Sequence, residues 1–360
     1  MEETGLARTT VVMRLQALAE LGLVEPVGHD ASSGGRPATM LAFNQGSRVT
    51  IGVDLGATHG AVGVTDLGGN ILVEDRTELL ISDGPEPILG WAAETAQRLL
   101  AKSGYSASDV IGIGIGVPGP VEHSTGRPVR PPIMPGWDGF DIPEFVRARL
   151  DAPVLVDNDV NLLALGERAT TWPQVDDLLF IKVSTGIGAG IISGGVLQRG
   201  ARGSAGDIGH VQVPHGDDER DLEATASAVA LASQLVGDPT EQAIGTSELI
   251  NRIRTGDPVA IDAARAAGRA IGEVTATCVS VLNPSTVVIG GRLGINVQEI
   301  IAGIREVVYR RSIPLATQHL DIVPARGGAG AGIRGAAIMV IDDRLSTKAI
   351  DALVAETQSS

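Results

Sequence analysis

Asp54-Leu55-Gly56-Ala57-Thr58, Val156-Asp157-Asn158-Asp159 and Ser184-Thr185-Gly186-Ile187-Gly188-Ala189-Gly190, read together, decide the fold of this chain. The first segment follows Val49-Thr50-Ile51-Gly52-Val53 and runs on into Ala61-Val62-Gly63-Val64-Thr65. The third follows Leu178-Leu179-Phe180-Ile181-Lys182-Val183 and runs on into Ile191-Ile192. A glycine-rich turn between two strand-like runs joins them as a hairpin. Glycine there leaves backbone N–H groups open to an anion, because no Cβ stands in the way. Two such hairpins across a cleft, with the acid Asp159 between them, suit a nucleoside triphosphate and a hydroxyl that receives a phosphoryl group.

Outward from these segments, strands and helices alternate, which marks an α/β fold. The pattern predicts strands near 49–54, 60–65 and 70–77, then a helix at about 86–103. Ile111-Gly112-Ile113-Gly114-Ile115-Gly116-Val117 alternates glycine with branched residues, as a buried strand flanked by close-packed backbone does. A strand at 153–157 leads into a helix at 160–170. A helix-rich stretch spans about 222–282, the strand Thr286-Val287-Val288-Ile289 ends in Gly290-Gly291, and a final helix follows Gly332. The sequence shows neither a repeat at a period of about 20–50 residues nor a low-complexity tail.

The 360 residues are enough for two or three domains, at about 100–200 residues each. Three Trp, two Tyr and four Phe are the only aromatic residues, so the core must be built from Ala, Val, Leu and Ile. A net charge of −15 opposes a general nucleic-acid or anionic-membrane surface and confines any DNA contact to a local patch. The single cysteine, Cys278, rules out a disulfide within the chain and is expected to be a small core residue. No run of about 18 apolar residues and no signal peptide is seen, so a cytoplasmic location is expected.

Residues 1–47 read differently. Thr4-Gly5-Leu6 is a turn, and Ala7 to Leu21 carries apolar residues at 11, 12, 15, 18 and 21, which is helical spacing. Gly22 caps that helix. Leu23 to Val27 reads as a strand, His29 to Gly35 as a polar tip and Ala38 to Phe43 as a second strand. Helix, strand, tip and strand make the back half of a winged helix-turn-helix. A complete one needs a preceding helix, so the unit is read as partial: either the true start lies upstream, the sequence has been trimmed, or DNA binding has decayed.

The two glycine turns, Asn158-Asp159 between them and Val288-Ile289-Gly290-Gly291 after them resemble the ROK family (repressors, open reading frames and sugar kinases) of the actin-like ATPase superfamily. The resemblance runs from about residue 49 to 345, and the N-terminal segment resembles the family's transcriptional-regulator branch. It implies two actin-like, ribonuclease H-like lobes around a cleft, over 48–165 and 166–330. A partial winged helix-turn-helix over 1–47 precedes them, and a C-terminal helix within 331–360 packs back on the first lobe.

The same resemblance implies roles. Asp159 matches the base that accepts a proton from a sugar hydroxyl as it attacks the γ-phosphate. On the residues alone, Asp159 is also a helix N-cap with Val160 opening the helix. Asp54 would orient Mg²⁺, while Gly56, Thr58, Ser184, Thr185, Gly186 and Gly188 would hold phosphates. Gly290 and Gly291 would let adenosine lie against the backbone. MgATP is therefore the cofactor implied for a kinase. Asn158, Asp159, Asp207, His210 and Glu223 would bind a sugar or sugar phosphate, with Asp207 standing where the family has Glu in Glu-x-Gly-His.

The departures are as informative. Ile133, four residues before Trp137, replaces an asparagine that hydrogen-bonds the sugar. The family's zinc loop of three cysteines is missing between His210 and Glu223, so no structural zinc is expected. Ala57-Thr58-His59 replaces Gly-Thr-Lys, and Arg292 follows Gly-Gly. In the N-terminal segment the resemblance places Arg8, Thr9, Thr10 and Arg14 in a DNA major groove, with Val12, Leu15 and Leu18 packed inward. Arg36, at the wing tip Gly34-Gly35-Arg36-Pro37, would enter a minor groove. A dimer-packing helix and hairpin is the alternative for this segment.

These features favour a sugar-responsive transcriptional regulator whose kinase-like domain binds the sugar between its lobes, with operator DNA as partner where the winged helix is complete. The rival is an ATP-dependent hexose or amino-sugar kinase using Asp159 as base. A third reading is a sugar-binding protein that does neither. A homodimer or homotetramer is expected, and no membrane partner.

Overall fold

Two five-stranded sheets with one shared strand order form the body of the molecule. A computed structural model describes residues 7–29, 39–215, 218–235 and 244–359. The first sheet is ordered Ile71–Glu78, His59–Asp66, Val49–Leu55, Val110–Val117, Val154–Asn158; the second Val196–Leu197, Ile187–Ser193, Leu178–Val183, Thr286–Gly290, Asp321–Pro324. In both, the first three strands along the chain pair antiparallel through tight turns, and the fourth and fifth join in parallel. Parallel neighbours need crossover connections, and helices supply most of these. The chain is thus α/β with two lobes of like topology. No repeat is visible in the sequence because the intervening segments differ in length and composition.

The period of two along each strand sorts side chains between an outer and an inner layer. On Val110–Val117, Ile113, Ile115 and Val117 join the outer core of the first lobe with Leu89, Ala92 and Ala96 of helix Pro85–Ser103. Gly112, Gly114 and Gly116 face the other way. A Cβ on Gly112 would meet Val340, on Gly114 the backbone of Ala336, and on Gly116 Leu162. Glycine lets helices Asp159–Thr171 and Ala331–Arg344 lie directly on this strand. On Leu178–Val183, Leu179, Ile181 and Val183 enter the outer core of the second lobe, against helices Pro258–Leu282 and Gln298–Arg311. Leu178 and Phe180 point inward, to Val160, Leu162, Ala336 and Met339. The inner layer between the sheets therefore consists of helices Asp159–Thr171 and Ala331–Arg344, which cross where Gly335 meets the backbone of Leu162 and Gly166 that of Ala331.

Ahead of the first lobe stand helix Arg8–Glu20 and the antiparallel strands Val24–His29 and Thr39–Phe43. The inward set on this helix differs from expectation. Val12 is 54% exposed, and Val11 is the half-buried residue alongside Leu15 and Leu18. Positions 11, 15 and 18 share one helical face, whereas 12 lies about 100° away. Arg36 and the wing tip fall outside the described residues. Cys278 is half-buried at the edge of the second lobe's core, and burial pushes its thiol pKa up. Among the described residues no helix is long and apolar enough to cross a membrane.

Candidate functional site

Between the lobes lies a cavity of about 300 Å³. Asn158, Asp159, Asp207, His210 and Glu223 all line it, together with Thr185, Gly186 and Gly188 of the second glycine turn. Ile133 lines it too, placing an apolar side chain on the wall. Asp54, Gly56, Thr58, Ser184, Gly290 and Gly291 are not among its lining residues.

The floor is set by the strand-to-helix turn at the edge of the first sheet. Asn158, not Asp159, caps helix Asp159–Thr171: its side-chain oxygen accepts from the Val160 N–H at 2.9 Å. Its Nδ2 donates to the Gly119 carbonyl at 3.0 Å. Both ends of the Asn158 amide are thus used within the protein. This corrects the N-cap alternative for Asp159, which is instead the first helical residue and only 3% exposed. Burial pushes the Asp159 carboxyl pKa up, and the ammonium of Lys182, hydrogen-bonded to Oδ2, pulls it down.

Lys182 is the functional candidate that pattern reading passed over. It shares the inward face of its strand with Leu178 and Phe180, so the strand's period of two aims it at the start of helix Asp159–Thr171. A lysine on the inward face of Leu-Leu-Phe-Ile-Lys-Val was the available signal. Asn161 was also missed. It lines the cavity, its Nδ2 donates to Asp157 at 2.7 Å, and its buried Oδ1 has no partner.

The far wall belongs to the second lobe. Glu223, in helix Leu222–Ala226, accepts from the Ile187 N–H at 2.8 Å, and its carboxylate fills the place that a Cβ on Gly186 would take. The segment from Gly206 is stitched to the turn by the Ala189 N–H, which donates to the Gly206 carbonyl at 2.7 Å. Gly206 itself sits at φ +94°, where a side chain would strain. Asp207 is exposed to the cleft, and His210 lies 3.2 Å from Asp221 Oδ2 through Nδ1. The Asp221 hydrogen bond, and then the charge of Asp207, hold the His210 imidazole pKa above its usual 6.5.

Several of the residues expected to hold a nucleotide are engaged by the protein itself. The His59 ring lies over Gly56, close to the spot a Cβ there would occupy, with Nε2 3.9 Å from Asp54. Thr58 is exposed beside it. The Asp54 carboxylate packs against Gly332 at the start of helix Ala331–Arg344. In the second turn the Ser184 N–H bonds the Gly186 carbonyl at 3.0 Å, and Glu223 takes the Ile187 amide. Gly188 and Gly190 are needed where helix Asp159–Thr171 packs, against Val160 and Ala164. Gly290 lies under the Phe180 ring, and Gly291, at φ +78°, against the Val183 backbone. Arg292 donates to Ser247 Oγ at 2.6 Å. A carboxylate and an imidazole thus stand on the two turns expected to take phosphates. Among the described residues no cluster of three or more His, Cys, Asp or Glu is placed to hold a metal.

What the cavity can do chemically is bind hydroxyls. Three carboxylates, one ammonium, one imidazole and the turn amides surround a space of sugar size, in walls that include Ile133, Ile187 and several prolines.

Known proteins share this fold. The chain is 30% identical over 360 residues to a xylose repressor of Caldicellulosiruptor bescii, covering 95% of this chain and 90% of that protein. The crystal structure of a ROK family transcriptional regulator, homolog of the E. coli MLC protein, superposes with a TM-score of 0.82 at 24% identity, covering 99% of this chain and 93% of that one. A ROK family glucokinase from Streptomyces griseus, solved with glucose and AMPPNP, gives a TM-score of 0.68 at 30% identity, over 81% of this chain and 98% of that one. A model of the ROK family matches residues 50–343, and with that match and these relatives the chain belongs to the ROK family.

Proposed function

We propose that the chain is a sugar-responsive transcriptional regulator that binds a sugar or sugar phosphate in the interlobe cleft and operator DNA through its N-terminal unit. The observation that carries this reading is the helix-and-hairpin unit Arg8–Phe43 set ahead of a kinase-like body. A regulator needs such a unit and a sugar kinase does not. The alignment with the xylose repressor, which takes in 95% of this chain, supports the same conclusion. Thr9 and Arg14 are exposed on helix Arg8–Glu20, available to phosphates or base edges. Sugar binding would act by differential affinity for two lobe arrangements, which changes the spacing of the N-terminal units in a homodimer or homotetramer without any catalysis.

The kinase reading keeps one specific support, the carboxylate of Asp159 on the cavity floor. ATP turnover with Mg²⁺ across a panel of pentoses, hexoses and amino sugars, run beside thermal shifts on the same samples, separates the two. The regulator reading expects one sugar to raise the melting temperature with no turnover above background. Turnover that needs both a sugar and Asp159, and so vanishes in Asp159→Asn, would make the chain an enzyme.

A further inference from the structure

We propose that the Lys182–Asp159 ion pair is the sugar-reading element of the cleft and that it restricts the effector to an uncharged sugar. The inference rests on the sugar-binding reading above and adds the chemical class of the ligand.

The pair is built by the fold and is not an incidental surface contact. Lys182 faces Gly188 on one neighbouring strand and Gly290 on the other, so no flanking side chain crowds its stem. Both partners are largely removed from solvent, at 16% and 4% side-chain exposure, and both line the cavity. Asp159 belongs to the helix that follows the first sheet, and Lys182 to a strand of the second, so the pair also ties the lobes at the cleft floor.

Its chemistry decides what is recognised. The Asp159 carboxyl, hydrogen-bonded to the ammonium, has one acceptor direction already used. The ammonium keeps two further N–H donors. A sugar hydroxyl, which both donates and accepts, can meet the carboxylate and the ammonium together, and such charge-assisted hydrogen bonds are the strong ones. A phosphate ester meets the opposite situation. Asp159, Asp207 and Glu223 supply three carboxylates to the cavity. Among the described lining residues the cationic groups are Lys182, held by Asp159, and His210, held by Asp221. A dianionic ligand would therefore face three carboxylates with each of the two cations already offset by its own partner, and like charges repel it.

Isothermal titration of the full chain tests this, with xylose, glucose, N-acetylglucosamine and glucose 6-phosphate as probes. The proteins are wild type, Lys182→Met, Lys182→Arg, Asp159→Asn and the double variant Lys182→Met/Asp159→Asn, each with a thermal melt. Wild type is expected to bind a free sugar, and to bind glucose 6-phosphate at least about tenfold more weakly than the best free sugar. Lys182→Met and Asp159→Asn should each lose about tenfold in affinity, with the double variant no weaker than the worse single one and Lys182→Arg recovering part of the loss. Three results overturn the proposal: wild-type affinity in Lys182→Met, additive losses in the double variant, or tighter binding of the phosphate. Where Lys182→Met does not fold, the double variant, which removes both charges, is compared with Asp159→Asn alone; a further loss of about tenfold there also overturns it. A wild type that binds no sugar would sink the sensor reading and this inference together. Sugar binding by wild type that Lys182→Met leaves unchanged sinks the inference alone.

Discussion

At Trp137 the indole is fully buried and its Nε1 donates to the Ile81 carbonyl at 3.0 Å, fixing the segment that carries Ile133 to the cleft wall. Trp137→Phe keeps the apolar bulk and leaves that carbonyl only the longer bond from the Gly84 N–H at 3.4 Å, so a loss of about 1 kcal/mol is expected in urea unfolding. An unchanged midpoint would show that the bond contributes nothing net. His210 offers a second test at this scale. Its pKa is raised, chiefly by Asp221, so the stabilising pair is fully present below about pH 6.5 and is lost as pH rises through the raised value. Asp221→Asn should move the imidazole titration, followed by NMR, to lower pH. A midpoint that stays put would mean that Asp221 is not the cause.

Among the elements, the crossing of helices Asp159–Thr171 and Ala331–Arg344 governs how the inner layer closes. A Cβ at Gly335 would run into the Leu162 carbonyl, and the two backbones have no side chain there that could give way. Gly335→Ala is expected to cost about 3 kcal/mol through forced separation of the helices. Gly90, in helix Pro85–Ser103, has open space where its Cβ would stand. Gly90→Ala should therefore stabilise by about 0.5–1 kcal/mol through helix propensity alone. The pair is measured by thermal unfolding of both variants. Equal effects, or a neutral Gly335→Ala, would contradict the packing described. Glu167 reinforces the same layer, its buried carboxylate accepting from the Arg326 and Gly327 amides just before the second helix.

Over the whole molecule, ion pairs with a buried carboxylate join the lobes. Arg199, following the last short strand of the second lobe's hairpins, donates through Nε to Asp157 Oδ2 at 2.6 Å, and Asp157 ends the first sheet at 2% exposure. Asp157 also accepts from the Asn158 amide and from Asn161, so it cannot turn away. Arg199→Met leaves that carboxylate without its cation and is expected to cost about 3 kcal/mol in urea unfolding. Adding Asp157→Asn should return part of the loss, because no buried charge then lacks a partner. A double variant as unstable as the sum of the two single ones would show that the groups do not act as a pair.

Much of this was legible in the linear chain. Alternating strands and helices, the two glycine turns and the acid between them announce an α/β fold with a cleft, because hydrophobic period and turn chemistry are local properties. The glycine strand Ile111–Val117 even announced the close approach of helix backbone that Gly114 and Ala336 make. Whether a glycine serves a ligand or a neighbouring helix was not legible. Gly188 and Gly190 carry the signature of an anion turn and Gly290 and Gly291 that of a backbone open to a ligand, yet each also has Val160, Ala164, Phe180 or Val183 close to where a Cβ would stand. Nor could the chain show that Glu223 reaches the Ile187 amide 36 positions away, or that Lys182 meets Asp159. The sequence by itself determined the fold class and, around the cleft, pointed to Asn158, Asp159, Asp207, His210 and Glu223. Only the tertiary structure decided which charges pair inside it, since that depends on which faces of distant elements are brought together.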